Sequence, residues 1–394
     1  MLRLREIAGA LNTSLVGHAA RPRHLALISA GFLVAGFTLL LLLAVPAGFE
    51  ALGGQTGLDN VAVVLGGTAQ DEASSALTPA VVALVGSLAG VAHNTAGAPV
   101  VAPQFIATTS VRRKDGSQVN VLVRGVTSAT WGLSATALHW NAGQLPRTGA
   151  PEIMAGDTAA RSYAGLSPGA DIKVRAAPWR VLGTFRGGGL WDSELWTDMS
   201  ALQATFNATS NVSVLWVKLQ SNAAFDEFAQ AIKRDPRLSG VRTERQRGYY
   251  ARQVSFVTSF MRIAALGIAV TLGLGAVFTI ANALNLALIS RRRELAVLRA
   301  LGFRQGSLAF ALLIEVTLIG FVATMASIVI ASIVLNGREI GTSTGEQAVV
   351  FALAVTPAVM AWTILYALTL GIASALWPAH QAVRAPLLRT LAGN

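Results

Sequence analysis

The chain contains no cysteine, which rules out disulfides, thiolate chemistry and cysteine-ligated zinc. Any exported domain in it must be held together by its apolar core alone, which a domain of roughly 200 residues can manage. Charge is scarce as well: 13% of the 394 residues are Asp, Glu, Lys or Arg, against about 25% in soluble domains. Catalytic signatures are missing too. No G-x-x-x-x-G-K-[ST] occurs, so the chain has no P-loop of its own for ATP. There is no H-E-x-x-H, and His18, His24, His93, His139 and His380 are scattered without metal-ligand spacing. Gly341–Gly345 formally matches G-x-S-x-G. A nucleophile elbow needs a strand before it and a helix after it within an α/β sheet, whereas this match falls between two apolar spans. These absences leave a chain that reads as a moving part, not an enzyme, with no metal or cofactor of its own.

What the chain has in excess is apolar length. Hydrophobic residues make up 53% of it, and four stretches exceed the roughly 20 residues needed to cross a bilayer. They run over 25–49, 259–288, 308–335 and 348–377. The first is longer than the roughly 7–15 apolar residues of a signal peptide, and it follows a 1–24 segment of amphipathic character. It therefore reads as a retained anchor.

The net charge of +11 would suggest nucleic acid if it were spread over one face. Its distribution says otherwise. Arg3, Arg5, Arg21 and Arg23 precede the first span; Arg291, Arg292, Arg293, Arg299 and Arg304 lie between spans two and three; Arg384 and Arg389 follow span four. Only Glu6 and Glu294 oppose them. The region from Glu50 to Arg252 is close to balance, with 18 basic and 15 acidic residues. Positive residues accumulate on the cytoplasmic side. Both termini and the 291–307 loop are thus expected inside, the 50–247 domain and the short 336–347 loop outside, and the 378–394 tail inside. The charge is a topology signal, and no nucleic-acid partner is implied.

The fold expected is a membrane α-helical protein of one plus three spans, with an α+β extracytoplasmic domain between the first two. Strands are expected near 61–65, 104–111, 118–126, 171–176, 179–185 and 212–219. Asp115-Gly116 has the chemistry of a hairpin turn. Thr78-Pro79 has that of a helix start, with the helix continuing to Ala92. Another helix is expected over 225–233. The Gly187-Gly188-Gly189 run beside Trp191 and Trp196 reads either as a mobile turn or as an aromatic contact loop. Residues 248–290 are helix-compatible throughout, and as one helix would be about 64 Å long. About 30 Å suffices for the membrane, so the excess forms a stalk and Arg262 falls out of reach of Glu315. An acid inside a span usually faces protein or water; with no second acid in the spans, Glu315 is read as a packing contact in preference to a proton relay.

The loop after the second span reads Arg291-Arg292-Arg293-Glu294-Leu295-Ala296-Val297-Leu298-Arg299-Ala300-Leu301-Gly302. It has the form of a short amphipathic helix with Leu295, Leu298 and Leu301 as its apolar stripe and Gly302 as its cap. Such a basic helix can lie on anionic lipid. The segment also resembles the R-x-R-E-x-A-x-L-R-A-L-G signature of FtsX-like permeases. The ending, Pro378-Ala379 through Ala382 to Pro386, is similar to that family's closing P-A-x-x-A-x-x-x-x-P pattern, one residue shorter. The one-plus-three layout around a large domain resembles MacB-type members.

The resemblance implies a homodimeric permease of the bacterial inner membrane, paired with two copies of a separate ATPase that binds the ATP and Mg. Arg291, Arg292, Arg293, Glu294, Leu295, Leu298, Arg299 and Gly302 would form its ATPase-coupling helix. The long second helix would carry displacement to the outer domain (mechanotransmission), serving efflux with a periplasmic adaptor and an outer-membrane channel. The alternatives it implies are lipoprotein extraction, or regulation of a periplasmic peptidoglycan hydrolase without transport.

Overall fold

The computed structural model describes residues 22–384 except 209, 291, 302, 345 and 346. The expected 1–24 segment and 378–394 tail therefore lie largely outside the described residues. The chain divides into two compact units. A helical unit holds residues 22–48, 259–338 and 353–384, and a sheet unit holds 49–258 and 339–352.

Among the described residues, four helices are long and apolar enough to cross a membrane. They belong to α1 (Pro22–Gln55), α7 (Gln246–Ser290), α9 (Gln305–Val334) and α10 (Pro357–Arg384). Within the helical unit they meet at Ile28 and Phe32 of α1, Ile280 and Leu284 of α7, Leu312 and Val316 of α9, and Ala367 and Leu370 of α10. A side chain on Gly320 would sit 2.7 Å from the Phe32 ring, so glycine is what admits that ring. Two hydroxyls in the bundle bond across helices: that of Ser327 donates to the Leu33 carbonyl at 3.0 Å, and that of Tyr366 to the Ala269 carbonyl at 2.8 Å. This is the expected way to hold polar atoms in hydrocarbon.

The fourth span is shorter at its start than the hydropathy implied. Residues 348–352, expected in the membrane, lie instead in strand β12 (Gln347–Ala352), paired antiparallel with β11 (Glu339–Thr344). Their apolar side chains serve the sheet unit: Ala348 and Val350 join its core, and Phe351 stacks edge-on against Phe49 at 5.2 Å. The helix begins at Pro357, where the Thr356 hydroxyl accepts the Val359 amide at 3.3 Å. That is the N-cap and N1-proline pairing, which the apolar run masked.

The sheet unit is built on ten strands in the order β10-β1-β9-β2-β3-β8-β5-β7-β4, with β6 added to β7. These are β1 (Val61–Gly66), β2 (Val101–Arg112), β3 (Gln118–Val126), β4 (His139–Ala142), β5 (Glu152–Gly156), β6 (Asp171–Val174), β7 (Ala177–Arg186), β8 (Leu195–Asp198), β9 (Val214–Lys218) and β10 (Val241–Arg245). Strand β2 joins the two halves. Val101–Gln104 pairs with β9, and Phe105–Arg112 pairs with β3. The β2–β3 turn matches its sequence signal: Gly116 has φ 93° and its amide donates to the Arg113 carbonyl at 2.9 Å.

Helices α2 (Pro79–Gly86) and α6 (Ala224–Arg234) cover β1 and β9 through Val85, Phe228 and Ile232. Thr78 does cap α2, accepting the Val81 amide. The helix ends at Gly86, not at the expected Ala92, because Val91 leaves to pair with Leu219. Helix α5 (Met199–Phe206) covers β2 and β3 through Ala201 and Leu202. Helices α3 (Ser128–Ser134) and α4 (Asp157–Ser162) complete the unit.

Candidate functional site

The loop with the family signature folds as α8 (Arg292–Ala300). Arg291 and Gly302 lie outside the described residues, as do the side chains of Arg292, Arg293, Glu294 and Leu295. The placed residues divide the expected stripe. Ala296 is buried, and Leu298 packs half-buried against Leu308 and Ala311 of α9. Val297 and Leu301 are 50% and 73% exposed. Leu301 had been expected beside Leu298, but its amide donates to the Val297 carbonyl at 2.9 Å, and residues four apart share a helix face. Leu301 therefore belongs with Val297 on the open face. Arg299 is half-buried. Glu315 is 5% exposed in α9, beside Leu312 and Val316 of the bundle core.

The sheet unit holds a second constellation, where the end of α1 and the start of α7 are built into its core. Gln246 accepts the Leu58 amide at 2.8 Å, Thr258 donates to Glu50 at 2.9 Å, and Tyr249 and Tyr250 are core residues. The Gly187–Gly189 run is part of this joint. Gly189 has φ 66°, and a side chain there would lie 2.5 Å from the Leu52 carbonyl. Next to it the Leu190 amide donates to the Thr56 hydroxyl at 2.8 Å. Trp191 and Trp196, candidates for an exposed contact, are buried and pack with Trp216.

At the centre of the joint is Arg124 of β3, with no exposed surface. Its Nε and Nη2 donate to both carboxylate oxygens of Glu194 at 2.7 and 2.8 Å. Nη2 also donates to Glu72 at 2.8 Å, and Nη1 to Gln104 at 2.7 Å. The Tyr250 hydroxyl donates to the other Glu72 oxygen at 2.9 Å, and the Trp196 indole to Glu194 at 2.7 Å. Burial by itself would lower the Arg124 pKa, but Glu194 and then Glu72 outweigh it and hold it well above the ordinary arginine value. A cavity of about 310 Å³ opens beside this network, bounded by α1, α7 and β12 through Phe49, Val254 and Ala348. Among the described residues, no three His, Cys, Asp or Glu side chains converge to hold a metal.

The family model of the MacB-like periplasmic core domain matches residues 26–235, and that of the FtsX-like permease C-terminal region matches 254–387. The chain belongs to the FtsX-like, MacB-type ABC transporter permeases. The cell division protein FtsX of Streptococcus pneumoniae serotype 2 (strain D39 / NCTC 7466) is 32% identical over 98 residues, 25% of this chain and 32% of that protein. The permease thus spans about a third of that relative's length in the alignment. The chain is similar to the extracellular domain of the noncanonic ABC-type transporter YknZ from Gram-positive bacteria, at 14% identity and TM-score 0.36 over 47% of this chain and 100% of that one. It is similar also to the periplasmic region of MacB from Actinobacillus actinomycetemcomitans, at 12% identity and TM-score 0.36 over 51% and 92%.

Permeases of this kind work with an ATPase partner. In this permease the two constellations differ in how far the sequence announced them. The α8 segment carries a contiguous motif. Glu72, Gln104, Arg124, Glu194 and Tyr250 come from separate elements, and each alone reads as an ordinary polar residue. The one available signal was Arg124 itself, a charge inside the otherwise apolar run Val121–Val126.

Proposed function

We propose that this permease turns ATP hydrolysis by two copies of a separate ATPase into displacement of its periplasmic domain, for efflux or export with a periplasmic adaptor and an outer-membrane channel. The observation that carries this reading is α7. It is a single helix of 45 residues, about 68 Å of unbroken backbone hydrogen bonding. Its first turns carry Tyr249 and Tyr250 of the domain core, and α8 begins two positions after its last residue. A helix of that kind transmits a push because its backbone bonds are all internal and stiff.

The exposed Val297–Leu301 face is the docking surface for the ATPase, flanked by Arg299; Leu298 holds α8 to α9. The protein functions as a homodimer in the inner membrane with both termini cytoplasmic. Of the four apolar helices, α7 is the least covered within one copy, 22% buried against 33–39% for the others. It shows a face of small residues, Gly267, Thr271, Gly275 and Thr279, of the type that lets helices approach closely in lipid. The match of residues 254–387 to the FtsX-like permease C-terminal region supports a second reading, regulation of a peptidoglycan hydrolase without transport; lipoprotein extraction is a third.

The test is co-purification of the tagged permease in mild detergent from its native host, with mass spectrometry of the eluate. A P-loop ATPase should elute with the wild type and be lost from Val297→Asp/Leu301→Asp. Equal recovery from the variant, or no ATPase with either, refutes the docking surface or the permease mechanism respectively. Export or hydrolase assays in the same strains separate the three outputs.

A further inference from the structure

The charges lining the joint cavity do not cancel. Glu72 and Glu194 are both nearly fully buried and share a single cation, Arg124. Asp71 adds a third carboxylate at the half-buried rim. Burying an uncompensated charge is costly unless something neutralises it. The carboxylates retain acceptor capacity for such a group: each Glu72 oxygen accepts one bond, from Tyr250 or Arg124, and a carboxylate oxygen can take two. Apart from Ser193 and Gln253, the rest of the wall is apolar, with Leu122, Val254 and Val257, and two aromatic rings, Phe49 and Tyr250. Phe49 is fixed in place by its edge contact with Phe351. Excess anionic charge, aromatic faces and apolar walls together define a receptor for an organic cation. A metal ion is disfavoured by the guanidinium at the centre of the acidic groups.

We propose that this cavity binds a compact organic cation, one ammonium group on a small aromatic or branched apolar body. The ammonium lies among Asp71, Glu72 and Glu194, and the body lies against Phe49, Val254 and Val257. Its volume of about 310 Å³ is at the lower end of small-molecule sites, so the ligand is small. The site is complete within the sheet unit of one copy and requires no ATPase, so it stands or falls independently of the transport reading.

The probe is phenethylammonium, titrated calorimetrically into the full chain in an uncharged detergent at pH 7.5, with empty micelles as the blank. Phenylethanol and 3-phenylpropionate serve as neutral and anionic controls of similar size. Phenethylammonium should bind at least about tenfold more tightly than either control. Asp71→Asn, a rim change that keeps the shape, should weaken it several-fold, and Ala73→Phe, which fills the cavity, should abolish it. Equal binding of the neutral control, or binding unchanged in both variants, overturns the proposal. So does the absence of any binding up to about 10 mM.

Discussion

Removing Arg124 should damage the permease far more than removing its whole ion cluster. In Arg124→Met four charge-assisted hydrogen bonds disappear, and Glu72 and Glu194 remain with side chains only 6% and 8% exposed and no cation between them. Breaking a buried pair by deleting one partner costs about 3–5 kcal/mol, because the stranded charge and not the lost attraction dominates. Two carboxylates stranded together place this case at the upper end. Replacing the set with Arg124→Met/Glu72→Gln/Glu194→Gln removes the charges while keeping side-chain volume, and should return stability to within about 2 kcal/mol of wild type. The assay is denaturant unfolding of the full chain in detergent, followed by tryptophan fluorescence. The reporters are local, since the guanidinium lies 5.9 and 5.3 Å from the Trp196 and Trp216 rings. A single variant within about 1 kcal/mol of wild type, or a triple variant worse than the single, would refute the view that Arg124 is there to neutralise the joint.

Three further outcomes follow from the geometry. Gly189→Ala combines left-handed backbone with a side chain pressed on the Leu52 carbonyl, and should cost about 2–4 kcal/mol in the same unfolding assay; Gly97→Ala, also at positive φ but with open space around it, should cost only about 1 kcal/mol. Asp157 feels a burial penalty, but hydrogen bonds from Arg186 and then Arg161 outweigh it and leave its pKa below the usual carboxylate value. A depressed pKa stabilises the fold above the unfolded value near 3.9 and is lost as pH falls through the folded one, so Asp157→Asn should flatten the loss of thermal stability below about pH 4. If the proposed homodimer packs through α7, Gly275→Cys on its open face should form a cross-link between two copies in membranes under mild oxidant, whereas Gly273→Cys, facing Tyr366 within the same copy, should not; cross-linking of both alike, or of neither, would refute that packing.

Much of the architecture was legible because it follows from periodicity and length. The four apolar helices, the Thr78 cap, the Asp115-Gly116 turn and the strand over 118–126 are all local signals. The β11–β12 hairpin was not. Val349, Val350 and Phe351 are as apolar as the span they precede, and only the sheet unit's demand for core residues draws them out of it. Leu301 was misplaced because a stripe drawn at three-residue steps ignores which face α9 covers. The joint was invisible for a different reason. An ion network assembled from β2, β3, β8, α7 and a loop has no sequence spacing, only the sheet topology that brings its members together.

That topology also sets the order of assembly. β1 pairs with β9 and β10, so Val61 meets Lys218 and Ala62 meets Arg245. Its two neighbours are among the last strands of the domain to be made. Pairing across such separations is slow, because loop closure must precede any gain from contact. The first strand therefore waits, unpaired and wholly apolar, until nearly the entire domain has emerged. Through that interval the nascent chain presents an aggregation-prone edge, and the early half of the domain cannot become protease-resistant ahead of the late half. Truncations ending anywhere before Arg245 should accordingly be degraded as a class, with no stable intermediate lengths among them.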